Sequence, residues 1–199
     1  MDRRESFKMI ALAPLMAGFT WTGRDVERAH ERTVAARAAG DFEPQFFTAH
    51  EYETVRLLVD LILPADERSG SATELGVPEF MDFMMTDRPN MQTPMRGGLA
   101  WLDAHTLRRF GHTFAAATED ERRRVLDEIA YPEEAAPELA HGVAFFNRFR
   151  NLTASGFWTT KEGMEDLQYM GNRFVTKWEG APKAEVERLG LSFPDWATE

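Results

Sequence analysis

The sequence of 199 residues sets 23 Lys and Arg against 33 Asp and Glu, a formal net charge of −10, and contains no cysteine. The missing thiols exclude a disulfide framework, a thiolate zinc site, an iron–sulfur cluster, a covalent c-type haem and a cysteine nucleophile. The acidic balance argues against nucleic acid as a main partner, because phosphate binding needs clustered Lys and Arg; at 43% hydrophobic and 12% aromatic, the chain has the makeup of one folded globular domain.

Residues 1–23 divide in two. Asp2 to Lys8 is charged, and Met9 to Gly23 is an uncharged run of 15 residues. That run is shorter than the roughly 20 residues a spanning helix needs, and Pro14 interrupts it. A basic stretch before a short apolar one is the layout of an export signal. Arg3-Arg4, followed by Glu5-Ser6-Phe7-Lys8, resembles a twin-arginine signal, the address of cargo that folds before export. Ser6 and Phe7 stand where that motif usually has Phe and Leu. The expected location is the periplasm or the periplasmic face of the inner membrane. A cleavage site is poorly formed, since Ala11-Leu12-Ala13 lies within the apolar run and Met16-Ala17-Gly18 fits badly. A retained leader would pack on a partner or lie at a membrane surface.

Residues 24–45 read as a spacer helix or linker. They are rich in Arg, Glu and Ala, with only Val26 and Val34 as strong apolar residues. The domain of residues 46–199 then opens on a capping box, Thr48-Ala49-His50-Glu51, with Phe47 placed to staple onto Tyr52. The spacing of Tyr52, Val55, Leu58, Val59 and Ile62 predicts a helix that Pro64 stops. A loop over 65–76 leads to a first-turn proline, Pro78, and a short helix filled by Phe80, Met81, Phe83 and Met84. A second loop is expected from Arg88 to Pro94. A helix from about Met95 to Phe110 follows, with Leu99, Leu102 and Leu107 inward and Gly111 as cap. A second box, Thr118 to Glu121, opens a helix bearing Val125, Leu126 and Ile129. Pro137 starts a longer one, with Val143, Phe145, Phe146, Phe149 and Leu152, closed by Gly156. A third box, Thr159 to Glu162, precedes a short helix through Leu167. The tail from Gly171 reads as irregular and aromatic. No run alternates with period two, so the expected class is all-α: a single irregular helical domain with long loops and an extended aromatic C-terminal tail.

The sequence holds no GxGxxG, Walker loop, GxSxG or HExxH. His105 and His112 share a helix face only if the helix runs through Gly111. Glu27-Arg28-Ala29-His30 and Glu138-Leu139-Ala140-His141 are both Glu-x-x-His, the spacing used in di-iron helical bundles. The first lies in a charged segment with almost no core face, and the second within one turn of Pro137. No catalytic residue and no metal site is therefore assigned. The aromatic and methionine content is the more unusual trait, with 15 Phe, five Trp and ten Met. Gly156-Phe157-Trp158-Thr159 and Tyr169-Met170-Gly171-Asn172 are hard to bury wholly. Such surface marks a protein interface, although tail-to-core packing accounts for the same residues. The candidate interface is Phe157, Trp158, Tyr169, Met170, Asn172 and Trp178.

Five segments in order also carry a resemblance: Leu61 to Glu67 (LILPADE), Glu74 to Asp82 (ELGVPEFMD), Gly98 to Asp103 (GLAWLD), Asn151 to Thr160 (NLTASGFWTT) and Leu167 to Asn172 (LQYMGN). Over about 46–182 the chain resembles the gluconate 2-dehydrogenase subunit 3 family. The resemblance implies a non-catalytic small subunit with no cofactor of its own. Its partner would be a flavoprotein of the glucose–methanol–choline oxidoreductase type that holds FAD and oxidises a sugar, sugar acid or glycoside. A cytochrome c is a further possible partner. The small subunit would bring the twin-arginine signal, here Arg3 and Arg4, to the translocase, and the folded flavoprotein would leave the cytoplasm bound to it. The competing reading is a stand-alone periplasmic helical enzyme with a metal at Glu138 and His141, or a binding module with an apolar pocket.

Overall fold

The structure, a computed structural model, describes residues 21–40, 42–169 and 183–190. Among them are eight α-helices and no strand, so the all-α expectation is borne out. The chain divides into two compact units, residues 1–168 and 169–199. The second contributes one described helix, α8 (Lys183–Arg188). The first holds α1 (Gly23–Ala39), α2 (Ala49–Ile62), α3 (Val77–Asp87), α4 (Pro89–Phe110), α5 (Glu119–Ala130), α6 (Ala140–Phe157) and α7 (Lys161–Asp166), with a 3-10 turn at Pro137–Leu139.

Helix α3 is the centre. Val77, Pro78 and Phe80 to Met85 are all buried, which is the pattern of a helix enclosed on every side. It packs against α1, α2, α4 and α6. The chain enters it through Gly76 at φ +84°, where a Cβ would lie 2.8 Å from the Arg37 side chain. Only glycine combines that backbone with that approach. The rings of Phe80, Phe114, Phe146, Phe149 and Phe157 are among the largest fully buried side chains of the core.

Helix α1 occupies the stretch read as a spacer or linker. It lies on α3 through a thin buried stripe of Val26, Ala29 and Thr33. Its arginines complete the seat. Arg32 reaches Asp87 at 2.7 Å and covers the Phe83 ring at 4.2 Å. Arg37 donates to the Glu74 carbonyl at 2.6 Å and to Glu79 at 3.3 Å. Asp25 accepts from the Thr22 backbone at the start of α1 (2.6 Å) and also pairs with Arg88. These arginines bury their stems and keep their charge at the surface.

Two capping boxes form where the sequence places them. The Thr48 hydroxyl accepts from Glu51 N at 3.2 Å, and Glu51 accepts from Thr48 N at 2.8 Å. Thr118 and Glu121 exchange the same pair of bonds. Tyr52 meets Phe42, with ring centroids 5.8 Å apart.

Four local expectations need correction. The stretch Arg88 to Pro94 is not a loop, because α4 begins at Pro89. A first-turn proline costs nothing, since that N–H has no intrahelical acceptor, and Pro94 forfeits a single bond. Leu107 points outward at 51% exposed, whereas Leu99 and Leu102 are buried; five residues on from Leu102 lies another face. Gly156 does not close α6. It is a packing contact, where a Cβ would stand 2.7 Å from Phe80. The third box is shifted by one residue, because Thr160 caps α7 by accepting from Gly163 N at 3.0 Å.

Candidate functional site

A groove of about 580 Å³ lies between the start of α1 and the end of α6. Trp21, Val26 and His30 form one wall. Ala154 and Trp158 form the other, and Met164 of α7 closes the end. Ser155 and Thr159 add no polarity, because each hydroxyl donates back to a carbonyl of its own helix or its end, Asn151 and Ser155, at 3.0 and 2.8 Å. The result is a largely apolar trough with an exposed carboxylate, Glu27, at its rim. The volume is within the range of about 300–1,000 Å³ typical of ligand sites.

Of the candidate interface residues, Trp158 lines this groove half-buried, its ring set edge-on to Phe157 at 5.7 Å. Phe157 itself belongs to the core at 0% exposed. Tyr169 is 65% exposed. Arg3, Arg4, Met170, Asn172 and Trp178 lie outside the described residues. Trp21 and Met164 are groove side chains that the sequence did not single out. Trp21 and Trp158 stand 137 positions apart (158 − 21), beyond the reach of any periodicity.

The acid and histidine residues hold helices together. His105 is 8% exposed, lies flat on Trp101 with centroids 4.8 Å apart, and reaches Glu128 at 2.9 Å. Glu128 also pairs with Arg109, so α4 is tied to α5. His112 meets Glu121 at 3.1 Å, and His50 meets Asp103 at 2.5 Å. Bonds from the Thr118 backbone and hydroxyl, with His112, lower the Glu121 pKa. The Arg88 guanidinium, with Thr22, holds the Asp25 carboxyl well below the usual carboxylate range. Asp25 therefore contributes to the seating of α1 above the ordinary carboxylate pKa, and that contribution is lost as pH falls toward the lowered value. Asp82 is the most enclosed acid, at 0% exposed. It accepts from the backbone N–H groups of Gln45 (2.8 Å), Phe46 (3.0 Å) and Phe47 (3.0 Å), and so fastens the segment before α2 to the centre of α3. Arg150 is a buried cation on α6, 2% exposed, with no ion pair among the described residues; desolvation pushes its pKa down.

The two Glu-x-x-His motifs do not come together. His30 lies beside Ala154 in the groove, while His141 is in the first turn of α6, 13 residues and roughly 20 Å away along that helix. Among the described residues no three His, Asp or Glu side chains are placed to share a metal ion. No described helix is long and apolar enough to cross a membrane.

The family model described as gluconate 2-dehydrogenase subunit 3 covers residues 49–180, from the start of α2 past the end of α7. No curated protein and no solved structure matches the chain.

Proposed function

Because the chain belongs to the gluconate 2-dehydrogenase subunit 3 family, and is thereby a subunit of a dehydrogenase complex, we propose that it binds, stabilises and co-exports a flavoprotein catalytic subunit of the glucose–methanol–choline type. The partner holds FAD and oxidises a sugar, sugar acid or glycoside. A cytochrome c is the candidate electron acceptor. This chain contributes the docking surface and the twin-arginine address at Arg3 and Arg4, and the assembled complex works in the periplasm or on the periplasmic face of the inner membrane.

The observation that carries this reading is the family match across α2–α7. Two others support it. The groove is lined by two half-buried tryptophans, a residue type enriched at the energetic centres of protein interfaces. The histidine–carboxylate pairs, where chemistry would otherwise be sought, are engaged in fastening helices. A partner that must load FAD folds in the cytoplasm, which gives a physical reason for an export route that accepts folded cargo.

The direct test is to purify this chain from its native host and look for a stoichiometric large subunit with flavin absorbance. A monomer that turns over sugar alone, with a bound metal, would overturn the reading. Trp158→Ala is expected to weaken assembly with the flavoprotein about tenfold or more, the effect of truncating an interface anchor. Binding by the variant as tight as by the wild-type chain would exclude Trp158 from the interface. Replacing Arg3 and Arg4 by Lys is expected to leave both subunits in the cytoplasm. Periplasmic dehydrogenase activity at the wild-type level in that strain would remove the export role.

A further inference from the structure

We propose that Arg150 of α6 is a receptor for a single carboxylate. Among the described residues it is the one Lys or Arg that is buried, at 2% exposed. Its Nε is enclosed and has no hydrogen-bond partner. The Phe146 ring lies 5.9 Å from the guanidinium carbon, and no acidic side chain compensates the charge, on which burial alone acts. Other arginines that lie partly buried are already engaged. Arg32 meets Asp87, and Arg122 donates to the Phe114 and Ala115 carbonyls, both at 3.0 Å. In a chain with 33 acidic residues, an unpaired buried cation is the more unexpected. The adjoining Asn151 also holds an enclosed Oδ1 with no partner.

Stability alone would favour an apolar residue at this position, because a buried guanidinium without a counter-ion is destabilising and a well-packed apolar side chain is not. A bound ion is one of the few explanations for a buried polar group left without a partner. The chemistry of the group selects the ligand. A guanidinium presents parallel N–H donors that match the two oxygens of a carboxylate. One guanidinium balances one negative charge, whereas a phosphate carries more and finds a chain of net charge −10 repelling the excess. The arginine is also preorganised. Helix α6 packs against each of α1 to α5, so the fold, and not the binding event, orders the side chain. The carboxylate comes either free from solution or on an acidic side chain of the dehydrogenase partner. Only the second source rests on the assembly reading above.

The test compares the full chain with Arg150→Met, which keeps an apolar stem of similar length and removes the charge, and with Arg150→Lys, which keeps the charge and removes the fork. In sodium chloride, Arg150→Met is expected to melt at or above the wild-type temperature. Replacing chloride by acetate at equal ionic strength should raise the wild-type midpoint by about 3 °C or more once acetate is roughly tenfold above its Kd. The lysine variant should respond less and the methionine variant not at all. If the carboxylate sits on the flavoprotein, Arg150→Met weakens assembly about thirtyfold or more. An acetate response with normal assembly assigns a free carboxylate, and an assembly defect without an acetate response assigns the partner's side chain. Wild type and Arg150→Met behaving alike in both measurements overturns the proposal. So does an Arg150→Met chain that melts several degrees below wild type in chloride, because Arg150 would then be a structural group. Where no flavoprotein co-purifies, the assembly reading fails and the acetate measurement alone decides the carboxylate site.

Discussion

Asp82→Ala is expected to destabilise the first unit by about 3–5 kcal/mol, the cost of leaving buried donors without an acceptor. The carboxylate is fully buried and receives three successive backbone N–H groups, from Gln45, Phe46 and Phe47. Against a total stability of about 5–15 kcal/mol, the loss is large. In urea it should appear as a lower midpoint with an unchanged slope, and on heating as a fall of about 10 °C. Asp82→Asn keeps one acceptor oxygen and should fall between the two. A change below about 1 kcal/mol for the alanine variant would show that the segment before α2 is satisfied by solvent and that Asp82 is not its anchor.

Adjacent glycines on α4 should respond with opposite signs. At Gly98 a Cβ would fall inside the Phe145 ring, which is itself buried against Phe149 and cannot swing away. At Gly97 an added Cβ meets nothing within 4 Å. Gly98→Ala is expected to cost about 2–3 kcal/mol, because overpacking between two helices outweighs the gain of about 1 kcal/mol in helix propensity. Gly97→Ala receives that gain alone and should stabilise by up to about 1 kcal/mol. Paired denaturant melts of the two variants check this. Equal shifts in the same direction would show that α4 and α6 do not approach as closely as described. The approach is reciprocal, since Gly142 of α6 receives the Trp101 ring of α4 in the same way.

What could be read in the sequence was what is decided locally. The boxes at Thr48 and Thr118 involve residues three apart, and both formed. The stripes on α2 and α5 follow a period that burial of one face enforces. The errors arose where a local signal has two outcomes. Thr159 and Thr160 are neighbouring residues of one kind, and the choice between them was made by Gly163 packing under the Phe157 carbonyl. Proline marks both a helix start and a helix break, and at Pro89 it marked a start. Glycine marks both a cap and a close contact: Gly111 is the first, and Gly156 and Gly98 are the second.

Long-range pairing stayed hidden altogether. Helix α1 has too thin an apolar stripe to announce itself as part of a core. Its partners Asp87, Glu79 and Arg88 are 42 to 63 residues away. The groove needed Trp21 and Trp158 in one place, which only the stacking of α1 on α3 and α6 supplies. The enclosed role of Asp82 was equally invisible, because nothing about an acid among Phe and Met residues states that three amides will converge on it.

The seating of α1 also settles how the molecule bears a load. Tension on the N-terminal end of α1 arrives first at the cap of Thr22 and Asp25 and the Arg88 ion pair, then at Arg32, then at Arg37. These links lie in series along one helix, so they yield one at a time, as a strip peels. The force stops at residues 45–47, where Asp82 anchors the chain crosswise to the pull. Helices α2 to α6 therefore stay intact while α1 gives way, and the arginine-rich segment acts as a mechanical fuse ahead of the core.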